Sequence, residues 1–87
     1  MKKPFAYVLH IERDSAEHLV SLYQSLDEAE NALRAYAATI FAGPGDDEIV
    51  EMLAEDGLHV RIFACVMKRN TQISTELKPF TRTAKAA

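Results

Sequence analysis

Hydrophobic and polar positions change period several times along this 87-residue chain. From Phe5 to Glu12 they alternate. Phe5, Tyr7, Leu9 and Ile11 point one way, and Ala6, Val8, His10 and Glu12 the other. That is the period of a half-buried strand. The polar stretch Arg13-Asp14-Ser15-Ala16 interrupts it. Alternation resumes from Glu17 to Gln24, with Leu19, Ser21 and Tyr23 against His18, Val20, Leu22 and Gln24. Two β-rich runs joined by a short polar loop predict a hairpin. Ser25-Leu26-Asp27-Glu28 then reads as a capping box, with its acids at the positive end of the helix dipole. Leu26, Ala29, Leu33, Tyr36, Ala37, Ile40 and Phe41 gather on a stripe about 140° wide, which predicts a helix from about Leu26 to Phe41. Glu30 falls inside the stripe, and Arg34 is its expected partner at i,i+4. Gly43-Pro44-Gly45 ends the helix. Asp46 to Glu55 predicts a second, shorter helix. Ile49, Val50, Met52 and Leu53 share one face, Asp47, Glu48, Glu51 and Glu55 the other, and Gly57 is a natural C′ residue.

The run Leu58 to Lys68 is a strand of a different kind. Val60, Ile62, Ala64 and Val66 lie on one side, and His59, Arg61, Phe63, Cys65 and Met67 on the other. From Ile62 onward both sides are apolar. An antiparallel sheet in a small monomer usually keeps one wet face, so a strand with two dry faces needs two covers. Arg69-Asn70 reads as a turn. Ile73, Thr75 and Leu77 then alternate with Gln72, Ser74 and Glu76 until Pro79. The order is ββααβ, extended by a fourth strand if the 71–77 segment pairs. The expected fold class is α+β, an antiparallel sheet of three to four strands with two helices packed on one face. Residues 1–80 form one domain, and the aperiodic tail 81–87 is expected to be mobile.

Composition narrows the function classes. Ten Lys and Arg against thirteen Asp and Glu give a net charge of −3. Such a balance gives no general attraction to nucleic acid or anionic membranes. Nucleic-acid association through Lys2, Lys3 and the basic positions Lys68, Arg69, Lys78, Arg82 and Lys85 is therefore the third-ranked reading. It also lacks a basic-aromatic stripe. The single Cys65 excludes an intramolecular disulfide and fits a reducing compartment. No apolar run approaches the ~20 residues of a membrane helix, and the stretch after Met1-Lys2-Lys3 is too short for a secretory core. The expectation is a soluble, cytoplasmic protein with no membrane association.

The chain carries no catalytic motif and no cofactor fingerprint. Gly-x-Ser-x-Gly is absent, Gly43-Pro44-Gly45 lacks the phosphate-loop pattern, and Asp46-Asp47-Glu48 lacks calcium-loop spacing. Cys65 lies between Ala64 and Val66 on an apolar strand, the setting of a small core hydrophobe rather than a nucleophile. His10 and Glu12 share one strand face, and His59 and Arg61 another. Were those strands neighbours, the four would converge into a polar cleft for a small ligand or minor chemistry. Their spacing is not that of a metal site. Asp47, Glu51 and Glu55 are like charges at i,i+4, an arrangement that weakens a helix by a few tenths of a kcal/mol per pair. No Lys or Arg occurs between Arg34 and Arg61. These acids form a candidate docking surface for a basic protein partner. Val8, Val20, Leu22, Phe63, Cys65 and Met67 form a candidate self-association surface, because the sheet face away from the helices would expose them. The alternative is that the fourth strand and Phe80 fold back over that face.

The motifs Ser25-Leu26-Asp27-Glu28-Ala29 and Ala32-Leu33-Arg34-Ala35-Tyr36, placed after two short strands, resemble those of small bacterial stand-alone α+β proteins of unknown function. The resemblance covers about the first half of the chain. It implies a compact stand-alone domain and brings no activity or functional residue with it. The leading expectation is a small non-enzymatic interaction or regulatory protein, a homodimer through its sheet. A ligand-binding or minor enzymatic domain stands second.

Overall fold

The structure is a computed structural model that describes residues 3–14 and 16–80, with Glu17 described for its backbone alone. Elements follow in the order β1 (Ala6–Arg13), β2 (Ala16–Tyr23), α1 (Leu26–Ala38), α2 (Asp46–Glu55), β3 (Leu58–Lys68) and β4 (Thr71–Leu77). The sheet order is β2-β1-β3-β4, antiparallel throughout. The α+β class stands as read. The element order needs correcting from ββααβ to ββααββ, because Thr71–Leu77 pairs along β3 from Lys68↔Thr71 to Ile62↔Leu77. The sequence signal was weak there because six of the seven β4 residues are exposed, so burial did not select an apolar face. The expected mobile tail, together with Lys2, Ser15, Arg82 and Lys85, lies outside the described residues.

Local chemistry explains the boundaries. Ser25 Oγ accepts the Glu28 N–H at 3.1 Å and opens α1. Glu28 Oε1 reaches back one residue further than a standard capping box, to the Gln24 N–H at 3.1 Å. Helix α1 stops three residues short of Phe41. Thr39 Oγ1 donates to the Tyr36 carbonyl at 2.6 Å, and the next backbone bonds tighten into a turn at Ala37. β-branched Thr39 and Ile40 have weak helix propensity, which favours an early end. Gly45 N–H donates to Glu48 Oε1 at 3.1 Å at the start of α2. Gly57 follows α2 with φ 84°, the left-handed C′ conformation that glycine adopts without a Cβ penalty.

Both helices pack on one sheet face. Leu9 and Ile11 of β1, Ala29, Leu33 and Ala37 of α1, Ile49 and Leu53 of α2, and Leu58 and Ile62 of β3 form one buried cluster with Phe80. The molecule measures 44 × 34 × 15 Å. The 15 Å dimension holds one sheet and one helix layer, and leaves no depth for a second layer below the sheet. The hairpin β1–β2 contains one bulge: Ile11 pairs with Leu19 and Glu12 with Glu17, so His18 is the extra residue. The bulge breaks the strict alternation expected of β2. It brings the His18 ring to 6.1 Å from Tyr36 of α1 in an edge-to-face contact.

Ile62 is fully buried at the centre of this cluster. Ile62→Ala should lower stability by about 2–5 kcal/mol in urea unfolding. Lys68→Ala, at the exposed end of β3, should stay within about 0.5 kcal/mol. Equal effects at the two positions would contradict the one-sided core.

Candidate functional site

The open face of the sheet is built from the side of each strand that turns away from the helices. Strand pairing sets its layout. Val8 sits between Leu22 of β2 and Phe63 of β3, and Phe63 is opposite Glu76 of β4. His10 sits between Val20 and Arg61, and Glu12 opposite His59. Ala6 is opposite Cys65, Cys65 opposite Ser74, and Met67 opposite Gln72. The self-association candidates are thus collected on one face. Leu22 is 70% exposed, Val20 50% and Met67 43%, while Phe63 and Val8 are half-buried between neighbours. Cys65 differs from the rest of the group. It lies on the same face at 2% exposure, with Sγ 3.6 Å from Ser74 Oγ. It therefore adds packing to the sheet and no accessible surface to the patch.

Neither β4 nor Phe80 covers this face. β4 extends the sheet sideways at the edge of β3. Phe80 turns to the helix side and joins the core there at 4% exposure. Among the described residues, no helix or strand packs over the open face.

The polar quartet is also brought together. β1 and β3 are neighbours, so His10 faces Arg61 and Glu12 faces His59 on the open face. The four form a flat rectangle at one end of the apolar patch. Among the described residues, no three His, Cys, Asp or Glu side chains gather closely enough to hold a metal ion.

The acidic candidates on α2 divide. Asp47 and Glu51 line a cleft of about 340 Å³ together with Asp46, Val50, Lys78, Pro79 and Phe80. Glu55 lies outside it, near the helix end. There Arg13 of β1 reaches Asp56 at 3.7 Å, between two largely exposed side chains. The negative end of α2 thus receives a cation from a strand that is remote in sequence.

A network that extends the expected Glu30–Arg34 pair to Asp46 and Phe80 closes one wall of the cleft. Glu30 of α1 is 2% exposed, and its Oε2 accepts the Phe80 N–H at 2.6 Å. Arg34, one turn along, has its guanidinium 4.9 Å above the Phe80 ring. Its Nε and Nη2 donate to Asp46 Oδ1 and Oδ2 at 2.8 and 2.9 Å, a bidentate pair that ties α1 to α2. Phe80 has φ 64°, a left-handed conformation that is strained for a bulky residue. The hydrogen bond to Glu30 and the stacking of Arg34 hold it there. The partners are 12 and 50 residues apart, so helical spacing could not reveal them.

The Arg34 hydrogen bonds hold the Asp46 carboxyl below the usual carboxylate range, and Asp46 in turn raises Arg34. A carboxylate whose pKa is depressed on folding contributes stability above its unfolded pKa of about 3.9 and loses it as pH falls through the folded value. Asp46→Asn should therefore be less stable than the parent in urea at pH 7. The gap should narrow below about pH 4. A gap that is constant from pH 7 to pH 2 would show that the charge pair contributes nothing. Compared with known protein families, with curated proteins and with solved structures, the chain matches none of them.

Proposed function

We propose that this chain is a non-enzymatic interaction protein that associates with a second copy of itself across the open sheet face. The observation that carries the reading is the uncovered row Leu22–Val8–Phe63, flanked by Val20 and Met67. Contiguous exposed apolar surface on a small protein marks an interaction site. Two-fold self-pairing is the commonest way to bury it. The patch runs from the β2 edge to β3, with the polar residues His10, Arg61, Glu12 and His59 at one end of it and Glu76 beside Phe63. Apolar surface bordered by polar residues is the anatomy of a protein interface.

The test is the assembly mass by native mass spectrometry. Phe63→Lys or Val8→Lys should halve it while the circular dichroism spectrum stays that of the parent. A folded variant of unchanged mass removes this face as the interface.

The cleft beside α2 supports a second contact, with a basic protein partner. Val50, Pro79 and Phe80 supply its apolar lining, and the acids Asp47 and Glu51 outnumber the one cation, Lys78. A lysine or arginine side chain has matching chemistry, an aliphatic stem with a charged head. A Lys-rich peptide should bind the parent with an affinity that falls as salt rises. Asp47→Lys with Glu51→Lys should weaken that binding and flatten its salt dependence. An unchanged salt slope in the double variant rules the docking surface out.

A further inference from the structure

Strand β4 is an edge of the sheet, and its seven residues Thr71–Leu77 hold no Lys, no Pro and no bulge. Those are the devices by which an edge is normally blunted. The opposite edge, β2, does carry a bulge.

The hairpin geometry shows which backbone groups of β4 face outward. Arg69 and Asn70 have φ 51° and 66°, the signature of a two-residue type I′ loop. The turn bond of such a loop joins its flanking residues, Lys68 and Thr71. Bonded and non-bonded pairs alternate along an antiparallel ladder. Val66–Ile73, Ala64–Thr75 and Ile62–Leu77 are then bonded pairs. The N–H and C=O groups of Gln72, Ser74 and Glu76 point away from β3. A separate contact fixes the same phase. The Cys65 carbonyl accepts the Phe5 N–H at 2.8 Å, so Cys65 turns its backbone toward the β1 side and away from Ser74.

We propose that β4 pairs antiparallel with β4 of a second copy about a two-fold axis at Ser74, giving one continuous eight-stranded sheet. In this register Ser74 faces Ser74, and Gln72 faces Glu76 of the second copy. All three outward-facing residues of each copy find partners, in six N–H···O=C bonds. Thr71 faces Leu77 and Ile73 faces Thr75, so the strand matches itself over its whole length. Glu76 is the strand's single charge. It meets a glutamine amide that can donate to it, and the two glutamates stay about 13 Å apart along the strands. An axis at Glu76 would instead set two carboxylates opposite each other, which destabilises a pair. The edge lies at right angles to the open face, so this contact does not depend on the face pairing proposed above. With both in use, the assembly is a four-chain particle with two perpendicular interfaces.

The full chain tests this directly. Ser74→Pro removes an outward N–H that no internal bond uses, a place where an edge strand tolerates proline. Its native mass should be half that of the parent. Phe63→Lys should halve the mass through the other interface, and the double variant should be a monomer. The two readings fail separately. If Phe63→Lys alone lowers the mass, the edge pairing is wrong; if Ser74→Pro alone lowers it, the face pairing is wrong. A second measurement fixes the register and does not depend on tolerance of proline. In a Cys65→Ala background, needed because Cys65 Sγ is 3.6 Å from Ser74 Oγ, Ser74→Cys should oxidise to a covalent dimer. Opposed Cα atoms in a bonded pair are about 5.5 Å apart, within disulfide range. Gln72→Cys in the same background should remain uncrosslinked. Absence of crosslinking at position 74, or equal crosslinking at both positions, overturns the pairing.

Discussion

Strand β3 is apolar on both faces from Ile62 onward, and among the described residues the helices cover only one of them. Everything in the architecture answers to that imbalance. Helices α1 and α2 place Leu33, Ala37, Ile49 and Leu53 over Leu9, Ile11, Leu58 and Ile62, and that side is dry. Two helices of 13 and 10 residues have no surface left for the other side. On the open side the sheet manages its apolar residues unequally. Cys65 is buried, Phe63 and Val8 are half covered, and Leu22 and Val20 stand exposed. Burying a Leu or Val side chain stabilises by about 1.5–3 kcal/mol relative to leaving it in water. The exposed row is thus a reservoir of free energy that only another surface can release.

The Glu30–Phe80 contact is the second organising feature. A carboxylate at 2% exposure is costly unless hydrogen-bonded. The Phe80 N–H at 2.6 Å provides a bond, and the position of that N–H depends on a left-handed backbone at Phe80. Such a conformation costs about 1–3 kcal/mol and persists only where its surroundings over-determine it. Here they do: the ring is buried in the core, and Arg34 lies over it while gripping Asp46. One short segment after β4 therefore locks both helices to the end of the sheet. By drawing Phe80 to the helix side, the lock also keeps it from shielding the open face.

Much of this was legible in the sequence, for reasons that can be stated residue by residue. Leu9 and Ile11 alternate cleanly because one face of β1 is dry. Ser25 and Glu28 carry a local signal because a cap is satisfied within four residues. The two-sided apolarity of Phe63, Cys65 and Met67 pointed to an uncovered face before any pairing was known. Three features were legible only in part or not at all. β4 was weak because an exposed edge strand has no buried face to impose periodicity on Ile73 and Thr75. The bulge at His18 cannot be read from a single strand, since it is a property of the ladder. Glu30, inside an apolar stripe, pointed to Arg34 on its own helix, and its charge does help to raise Arg34; what the stripe could not show is the Phe80 N–H that it also accepts, 50 residues away. Long-range partners leave no spacing to read. For the same reason the polar quartet could be assembled only conditionally, until β1 and β3 proved adjacent.

The asymmetry of the two edges bears on how far association can run. A sheet with two open edges adds copies head to tail without limit, the route to fibres. In this chain the bulge at His18 distorts the β2 edge, while β4 stays straight and regular. An interface that uses β4 on both sides is self-complementary and closes at two, because each copy has consumed its one usable edge. The open face obeys the same rule, since a two-fold contact between like faces leaves neither free. Both surfaces therefore favour closed assemblies of defined size. The acidic cleft beside α2 lies on the far side of the sheet from the apolar row and remains accessible when the sheet faces are joined.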